Sequence, residues 1–110
     1  MHINAVGAFG ATWRELPTGL VARSRLVVDS REAALREAGD IMIPLAEGRI
    51  AADAAGAELG EVLAGSRPGR EHDEVTVFKS LGLPIEDVVA CDAIYRRAVE
   101  QGAGYEIKFP

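Results

Sequence analysis

The chain has 110 residues and a formal net charge of −5 at pH 7. Hydrophobic residues make up 48% of it, aromatic residues only 5%, and there are 12 glycines, which is the composition of a folded α/β protein. The acidic balance argues against partners such as nucleic acid or an anionic membrane, because both require a basic patch. A chain of this length forms one domain or part of one.

Cysteine usage favours a reducing, cytoplasmic location. The one cysteine, Cys91, excludes an internal disulfide, and the first residues lack the basic and apolar regions of a signal peptide. Cys91 falls at an apolar position of a helical pattern, which predicts a buried filler and not a nucleophile. His2 and His72 are isolated from other ligand-type residues, so no metal site is predicted.

The first predicted strand is the short apolar run HINAVG, residues 2–7. It begins with almost no residues before it, and this abrupt start indicates a chain truncated upstream. Small residues then predict a loop, and Pro17 suits the first turn of a short helix that ends near residues 23–25. Trp13, between loop and helix, is expected to pack under the edge of the sheet.

A second strand–turn–helix unit follows. The run LVV at residues 26–28 is typical of a strand buried on both faces of a parallel sheet. Ser30 is a natural N-cap for the next helix, and Gly39 is predicted to end that helix. Asp29 either helps to cap this helix or faces a ligand crevice. Residues 40–56 show no clear pattern, and residues 58–64 (ELGEVLA) predict a helix.

The stretch DEVTVFKSLGLP, residues 73–84, predicts a strand, a glycine-bearing turn and a helix start. In an open α/β sheet, ligands bind outside the carboxyl ends of the strands, where loop amides and helix N-termini converge. Residues 79–82 are therefore the first place to expect function. Lys79 and Ser80 are alternatively a solvated turn, since nothing in the sequence shows the burial that a lysine base needs.

The longest predicted helix begins at Pro84 and ends at the glycines of residues 102–104. Its acidic residues lie near the start and its arginines nearer the end, as the helix dipole favours. Its apolar positions predict an amphipathic helix packed on the core. The alternating segment YEIKF, residues 105–109, predicts a half-exposed edge strand.

Three strands, each followed by a helix, predict a parallel sheet with crossover helices. Such a sheet exposes two unpaired edges, so we expect a partner, either upstream sequence or another copy of the chain, to cover one of them. No GxGxxG motif opens the sheet. From the residues alone, the ligand of this α/β unit is therefore unspecified.

Five sequence blocks make the chain recognisable: HINAVGA, WREL, LVVDSREAALREAGD, ELGEVLAG and EVTVFKSLGLPIEDVVA. Their order and spacing resemble the ornithine cyclodeaminase and mu-crystallin family over nearly the whole chain. Members of that family are about three times as long, with an N-terminal dimerisation and substrate domain before a Rossmann-type domain that binds NAD(H) or NADP(H). The resemblance implies that residues 1–110 are a single partial domain, the C-terminal part of that Rossmann-type NAD(P)-binding domain.

The resemblance also assigns candidate cofactor-binding residues. The turn formed by Ala5, Val6 and Gly7 matches a segment that contacts the dinucleotide in the family, and Ser80 matches a position near the nicotinamide. The phosphate loop, the acidic residue for the ribose and the substrate-binding lysine and arginine belong to the upstream part. The sequence therefore does not choose between NAD and NADP, and it does not name the substrate.

Phe9 is a departure from the cyclodeaminases. In those enzymes an aspartate follows the glycine turn of this strand and is given the acid/base role, whereas phenylalanine cannot move a proton. No catalytic residue is therefore predicted in this chain. Relatives with a nonacidic residue here include ketimine reductases and amino-acid dehydrogenase-like members. Residues 10–12 (GAT) also differ from the commoner RPD of the family, which changes the expected shape of the loop.

Two functional hypotheses follow. The first is an enzyme part, from an NAD(P)-dependent amino-acid cyclodeaminase (a lyase) or ketimine/imine reductase (an oxidoreductase) that acts on a small amino acid or cyclic imine. Such a part is expected to be inactive alone. The second is a non-catalytic ligand-binding or structural α/β module of mu-crystallin type. Both hypotheses include a homo-oligomer.

Overall fold

The computed structural model describes residues 1–109. It contains four strands: β1 (His2–Ala5), β2 (Arg25–Val28), β3 (Ala57–Glu58) and β4 (Thr76–Lys79). They form one sheet in the order β1-β4-β2-β3, and every neighbouring pair is parallel. The predicted α/β class and the three predicted parallel strands are confirmed. The fourth strand, β3, was not predicted, because two residues are too few to show a strand period.

The helices are α1 (Thr18–Val21), α2 (Arg31–Glu37), α3 (Gly39–Ala46), α4 (Leu59–Leu63) and α5 (Pro84–Gln101), with a 3₁₀ turn at Ala52–Ala55. Ser30 caps α2 as predicted, since its hydroxyl accepts a hydrogen bond from the backbone N–H of Ala33 at 3.3 Å. The predicted end of this helix at Gly39 was wrong, because α2 ends at Glu37. Ala38 is extended and breaks the helix, and Gly39 is the first residue of α3.

Gly39 is required because the chain passes very close to it. A Cβ built on Gly39 would lie 2.0 Å from the carbonyl oxygen of Trp13 and 2.7 Å from that of Gly10. The loop after β1 therefore rests directly on the backbone at the start of α3. This contact fixes where that loop runs, although the sequence alone gives Gly39 only the appearance of a helix stop.

The core lies on one face of the sheet. Buried side chains of the strands pack there against buried side chains of α1, α2 and α3, and the cluster comprises Ala5, Val21, Leu26, Val28, Ala34, Ala38, Ile41 and Val77. On the other face, Asn4, Val27 and Phe78 line a cleft of about 380 Å³ beside α4. Parallel sheets are ordinarily covered on both faces. The described residues thus cover one face and only part of the other.

Helix α5 is where the structure differs most from expectation. Its bounds match the prediction, and Gly102 ends it in the left-handed conformation at φ 61°. The predicted packing on the core was wrong: Val88, Ile94 and Tyr95 are exposed, and α5 contains no buried residue. The radius of gyration is 17.3 Å, against about 13 Å for a compact domain of this length. The periodic pattern of α5 predicted its apolar face correctly, but a pattern cannot show which surface packs against that face.

Three further predictions were wrong, two of them in α5 or just after it, because the expected packing partner is missing from residues 1–109. Cys91 is exposed on α5 and is not a buried filler. Residues 105–109 are exposed and form no strand. Trp13 keeps 56% of its surface exposed instead of packing under the sheet. Each prediction assumed a neighbour that residues 1–109 do not provide. Within those residues, no helix is both long and apolar enough to cross a bilayer.

Candidate functional site

The carboxyl ends of three strands lie level with one another. Lys79 of β4 is in register with Ala5 of β1 on one side and with Val28 of β2 on the other. The backbone N–H of Ser80 also donates a hydrogen bond to the carbonyl oxygen of Ala5 at 3.1 Å. The structure therefore brings the predicted cofactor-binding positions together at one edge of the sheet: Ala5 at the end of β1, Val6 and Gly7 directly after it, and Ser80 after β4.

Asp29 organises the loop between β4 and α5. One carboxylate oxygen accepts hydrogen bonds from the hydroxyl of Ser80 at 3.0 Å and from the backbone N–H groups of Leu81 and Gly82, both at 2.7 Å. The other accepts from the N–H of Ser30 at 2.8 Å. Ser30 caps α2, and Asp29 lies at the carboxyl edge of the sheet, where its side chain fixes the loop that carries Ser80. A ligand at this edge stays a prediction.

These hydrogen bonds keep Asp29 ionised. Burial acts to raise its pKa, but the backbone N–H groups of Gly82, Ser30 and Leu81 and the Ser80 hydroxyl together outweigh burial and lower the pKa below the ordinary value. An ionised carboxylate with four donors is a structural anchor at neutral pH. It has no proton to give to a ligand.

Glu15 plays the corresponding part after β1. Its carboxylate accepts a hydrogen bond from the backbone N–H of Gly7 at 2.9 Å. The pKa of Glu15 is lowered, first by the backbone hydrogen bond from Ala8, against an opposing effect of burial, and then by Gly7 and Lys79. The N–H groups of Gly7, Leu81 and Gly82 are therefore already occupied by carboxylates. This edge therefore has no free amide at these three positions to bind a phosphate group.

Lys79 is buried, and the alternative of a solvated turn was wrong for it. Its side chain is 1% exposed, and its ammonium lies 3.3 Å from Glu15 Oε2 and 3.2 Å from Asp40 Oδ2. A sequence signal for this burial existed: side chains alternate along a strand, so Lys79 shares the core face with Val77. The role of Asp40 was missed, because nothing in the sequence links residue 40 to residue 79.

Phe9 lies in the loop after β1 with 63% of its surface exposed. Its ring meets that of Trp13 edge-on, with centroids 5.1 Å apart and an interplanar angle of 66°. The position predicted to match the cyclodeaminase aspartate thus carries part of an exposed aromatic pair. Among residues 1–109, no cluster of three or more ligand-type side chains could hold a metal ion.

Comparison with known proteins identifies the family of this chain. The sequence profile of the Ornithine cyclodeaminase/mu-crystallin family matches residues 1–102. The chain belongs to this family. Members of the family similar to the chain include the Delta(1)-pyrroline-2-carboxylate reductase of Bacillus cereus, 46% identical over 99% of the chain and 34% of that enzyme. The ketimine reductase mu-crystallin of Mus musculus is 48% identical over 86% of the chain and 28% of that protein.

Solved structures of the ornithine cyclodeaminase/mu-crystallin family share the fold. The Delta(1)-pyrroline-2-carboxylate reductase of Thermococcus litoralis, solved with NADH and L-proline, superposes with a TM-score of 0.84 at 48% identity. The match covers 96% of this chain and 33% of that enzyme. The chain therefore spans about a third of the length of the relatives it matches.

Proposed function

We propose that this chain forms one wall of the nicotinamide site in an NAD(P)-dependent imine reductase. The observation that supports this most strongly is the level carboxyl edge of β1 and β4, where the Ser80–Ala5 hydrogen bond joins two loops. Ala5, Val6, Gly7 and Ser80 are the residues proposed to contact the cofactor. Val6 is 66% exposed, so it offers an apolar surface to a flat ring.

The lack of a mobile proton at this edge favours reduction over cyclodeamination. Phe9 replaces the aspartate of the cyclodeaminases, and the two nearby carboxylates, Asp29 and Glu15, are engaged by backbone donors and have lowered pKa values. NAD(P)H, when bound, would supply a hydride to the carbon of a carbon–nitrogen double bond whose nitrogen is already protonated, so this reduction needs no proton from the edge. In this scheme the chain shapes and orients the site, and Phe9 excludes water from it.

The remaining parts of such an enzyme are proposed to lie in polypeptide beyond this chain, which spans about a third of its relatives. They are the phosphate loop, the ribose-binding acid and the substrate-binding lysine and arginine. The exposed apolar face of α5 and the partly covered face of the sheet are surfaces that this polypeptide or another copy of the chain would cover. A homo-oligomer in a reducing cytoplasm stays part of the proposal.

A second candidate is a non-catalytic binding module of mu-crystallin type. The exposed Phe9–Trp13 pair favours it, because an aromatic surface can bind a flat ligand without any proton transfer. The two candidates differ in one respect that can be measured, namely whether bound NADH is consumed.

A chimeric enzyme tests the proposal. We would replace the aligned third of the Thermococcus litoralis reductase by this chain, then measure NADH binding by nicotinamide fluorescence and the reduction of Δ1-pyrroline-2-carboxylate. The proposal expects both binding and turnover. Binding without turnover would favour the second candidate, and a folded chimera that does not bind NADH would overturn both. As a control, Leu63→Ala, at a site 80% exposed on α4, should leave both readouts unchanged.

A further inference from the structure

One charged cluster extends from the loop after β1 into the interior of the fold. Lys79 is one of only two lysines in the chain, and its side chain is 1% exposed; Asp40 beside it is 2% exposed. Glu15, the third member, is about one-third exposed at 34%. We refer to Lys79, Asp40 and Glu15 as the buried ion cluster.

The contacts of the buried ion cluster converge on a single loop, residues 7–16. Lys79 Nζ donates to the carbonyl oxygen of Ala8 and lies 3.3 Å from Glu15 Oε2. Glu15 in turn accepts from the N–H of Gly7 at 2.9 Å. The start of the loop is thus tied to the end of β4 through the ammonium group.

The end of the same loop is tied to α3. Asp40 Oδ1 accepts from the backbone N–H groups of Glu15 and Leu16 at 2.8 and 2.9 Å. Its other oxygen, Oδ2, is 3.2 Å from Lys79 Nζ, and it has no hydrogen-bond partner of suitable geometry within residues 1–109. That contact is a charge interaction, which links the anchors at the two ends of the loop through one cation.

Burying this cluster is unfavourable unless all three charges stay together. Taking an ammonium group out of water carries a large desolvation penalty, which only well-placed counter-charges and hydrogen bonds offset. An apolar side chain would fill the same space in the core at no such penalty. Unlike an apolar core, the cluster specifies the path of the loop backbone, because its hydrogen bonds are made to defined backbone groups of the loop.

We propose that Lys79 is a positioning residue, which acts through Glu15 and Asp40 to set the shape of loop 7–16 and hence the placement of Phe9 at the nicotinamide site. This inference rests on the proposed function for its second half only. Lys79 is not assigned proton transfer, because its ammonium group is enclosed and directed at Ala8, Glu15 and Asp40.

The test uses the full 110-residue chain and its two lysines. Amide hydrogen exchange is followed by NMR in Lys79→Ala and in the matched control Lys108→Ala, whose lysine is exposed. We expect Lys79→Ala to speed exchange of the Gly7, Glu15 and Leu16 amides by about tenfold or more, from the typical strength of hydrogen bonds to charged groups. Exchange in β2 should change much less, and the control should match the wild type.

A chemical rescue separates positioning from general stability. Propylammonium has the atoms that Lys79→Ala removes beyond Cβ, so adding it should slow exchange in the loop again, whereas 1-propanol, which is uncharged, should not. Unchanged loop amides in Lys79→Ala, or equal acceleration at all amides without rescue, would overturn the proposal. If Lys79→Ala does not fold, Glu15→Gln decides in its place: faster exchange confined to loop 7–16 supports the proposal, and wild-type exchange contradicts it.

The functional half is measured in the chimeric enzyme. There, Lys79→Ala should lower kcat more than it raises the KM for NADH, because the phosphates of the cofactor are bound elsewhere while Phe9 faces the reacting ring. Equal kcat values for the chimera with and without Lys79→Ala would overturn the proposed effect of Lys79 on the placement of Phe9. An inactive parent chimera would count against the proposed function alone, since the exchange experiment on the chain does not depend on NADH.

Discussion

Asp29 shows how one side chain can determine the geometry of a ligand edge. It lies directly after β2, yet three of its four donors belong to the loop after β4, which includes Ser80. An aspartate that follows a buried strand is easily taken for a helix cap, and Ser30 does perform that role. Asp29 instead joins two neighbouring strands at the level where a cofactor would bind.

Removal of the Asp29 carboxylate should therefore loosen the Ser80 loop and destabilise the fold. We expect Asp29→Ala to lower the free energy of unfolding by about 3 kcal/mol, since it leaves several donors without an acceptor. The measurement is urea unfolding followed by circular dichroism. Asp73→Ala removes an exposed aspartate and serves as the control. A loss equal to that of the control would contradict the anchoring role.

The lowered pKa of Glu74, which lies just before β4, predicts that the stability of the fold depends on pH. Its pKa is lowered from the ordinary 4.5 to about 2, first by the backbone N–H of Glu71, against an opposing effect of burial, and then by Arg25 and His72. Because the folded pKa is the lower one, this contribution is complete above pH 4.5 and is lost as the pH falls toward about 2. The gap in urea midpoint between wild type and Glu74→Gln should shrink over that window. A gap that stays constant would show that Glu74 is not responsible.

Gly39 and Gly60 make a matched pair for testing close approach. Both lie in helices, but a Cβ at Gly39 meets the carbonyl oxygen of Trp13 at 2.0 Å, whereas a Cβ at Gly60 meets nothing within 4 Å. We expect Gly39→Ala to destabilise the chain by about 3 kcal/mol through overpacking. Gly60→Ala should stabilise it by about 0.5 kcal/mol or more through helix propensity. Thermal unfolding of both variants checks the opposite signs.

At the scale of elements, α5 has an apolar face with no partner in residues 1–109. Val88 and Tyr95 lie seven residues apart, so they share that face, and both are exposed. Exposed apolar surface of this kind promotes association. We expect the 110-residue chain to self-associate as its concentration rises.

Polar substitution of that face should weaken the association. The double variant Val88→Gln/Tyr95→Gln should sediment closer to the monomer than the wild type in analytical ultracentrifugation. Arg97→Gln, on the polar side of the same helix, is the control and should behave like the wild type. A wild-type chain that is monomeric at all concentrations would contradict the prediction.

The sequence was sufficient for features that depend on local pattern. Strands β1, β2 and β4 and the bounds of α5 follow from apolar runs, glycines and proline, which act within a few residues. It was insufficient where the outcome depends on distant neighbours. Nothing near residue 40 indicates that Asp40 meets Lys79, and the alternation of residues 105–109 cannot show whether a strand is available to pair with them.

The candidate site divides in the same way. The family resemblance supplied Ala5, Val6, Gly7 and Ser80, and the parallel register explains why these positions meet at one edge. Their contact with a cofactor stays a prediction. Of the two carboxylates that fix the site, Asp29 could be placed there only as an alternative to a helix cap, because three of its donors lie in the loop after β4. Glu15 could not be assigned, because only the folded shape of its own loop brings it back to Gly7.

At the scale of the whole molecule, the chain alone should bind NADH weakly or not at all. The amides of Gly7, Leu81 and Gly82 are occupied by carboxylates, so the ligand edge lacks free donors there for the pyrophosphate. Isothermal titration calorimetry with the 110-residue chain is the direct measurement. Micromolar affinity for NADH or NADPH would contradict the expectation and would point to a phosphate site within this chain.

The strand order also has a consequence for protein synthesis. β4 is the last strand in the sequence, yet it lies between β1 and β2 in the sheet. His2 of β1 pairs with Thr76 of β4 across 74 positions. Closing so long a loop is entropically unfavourable and slows folding. On the ribosome, β1 would leave the exit tunnel well before β4 and would lack this partner strand until β4 emerged. A stalled nascent chain that ends before Thr76 should thus be a target for chaperones, and one that exposes β4 should not.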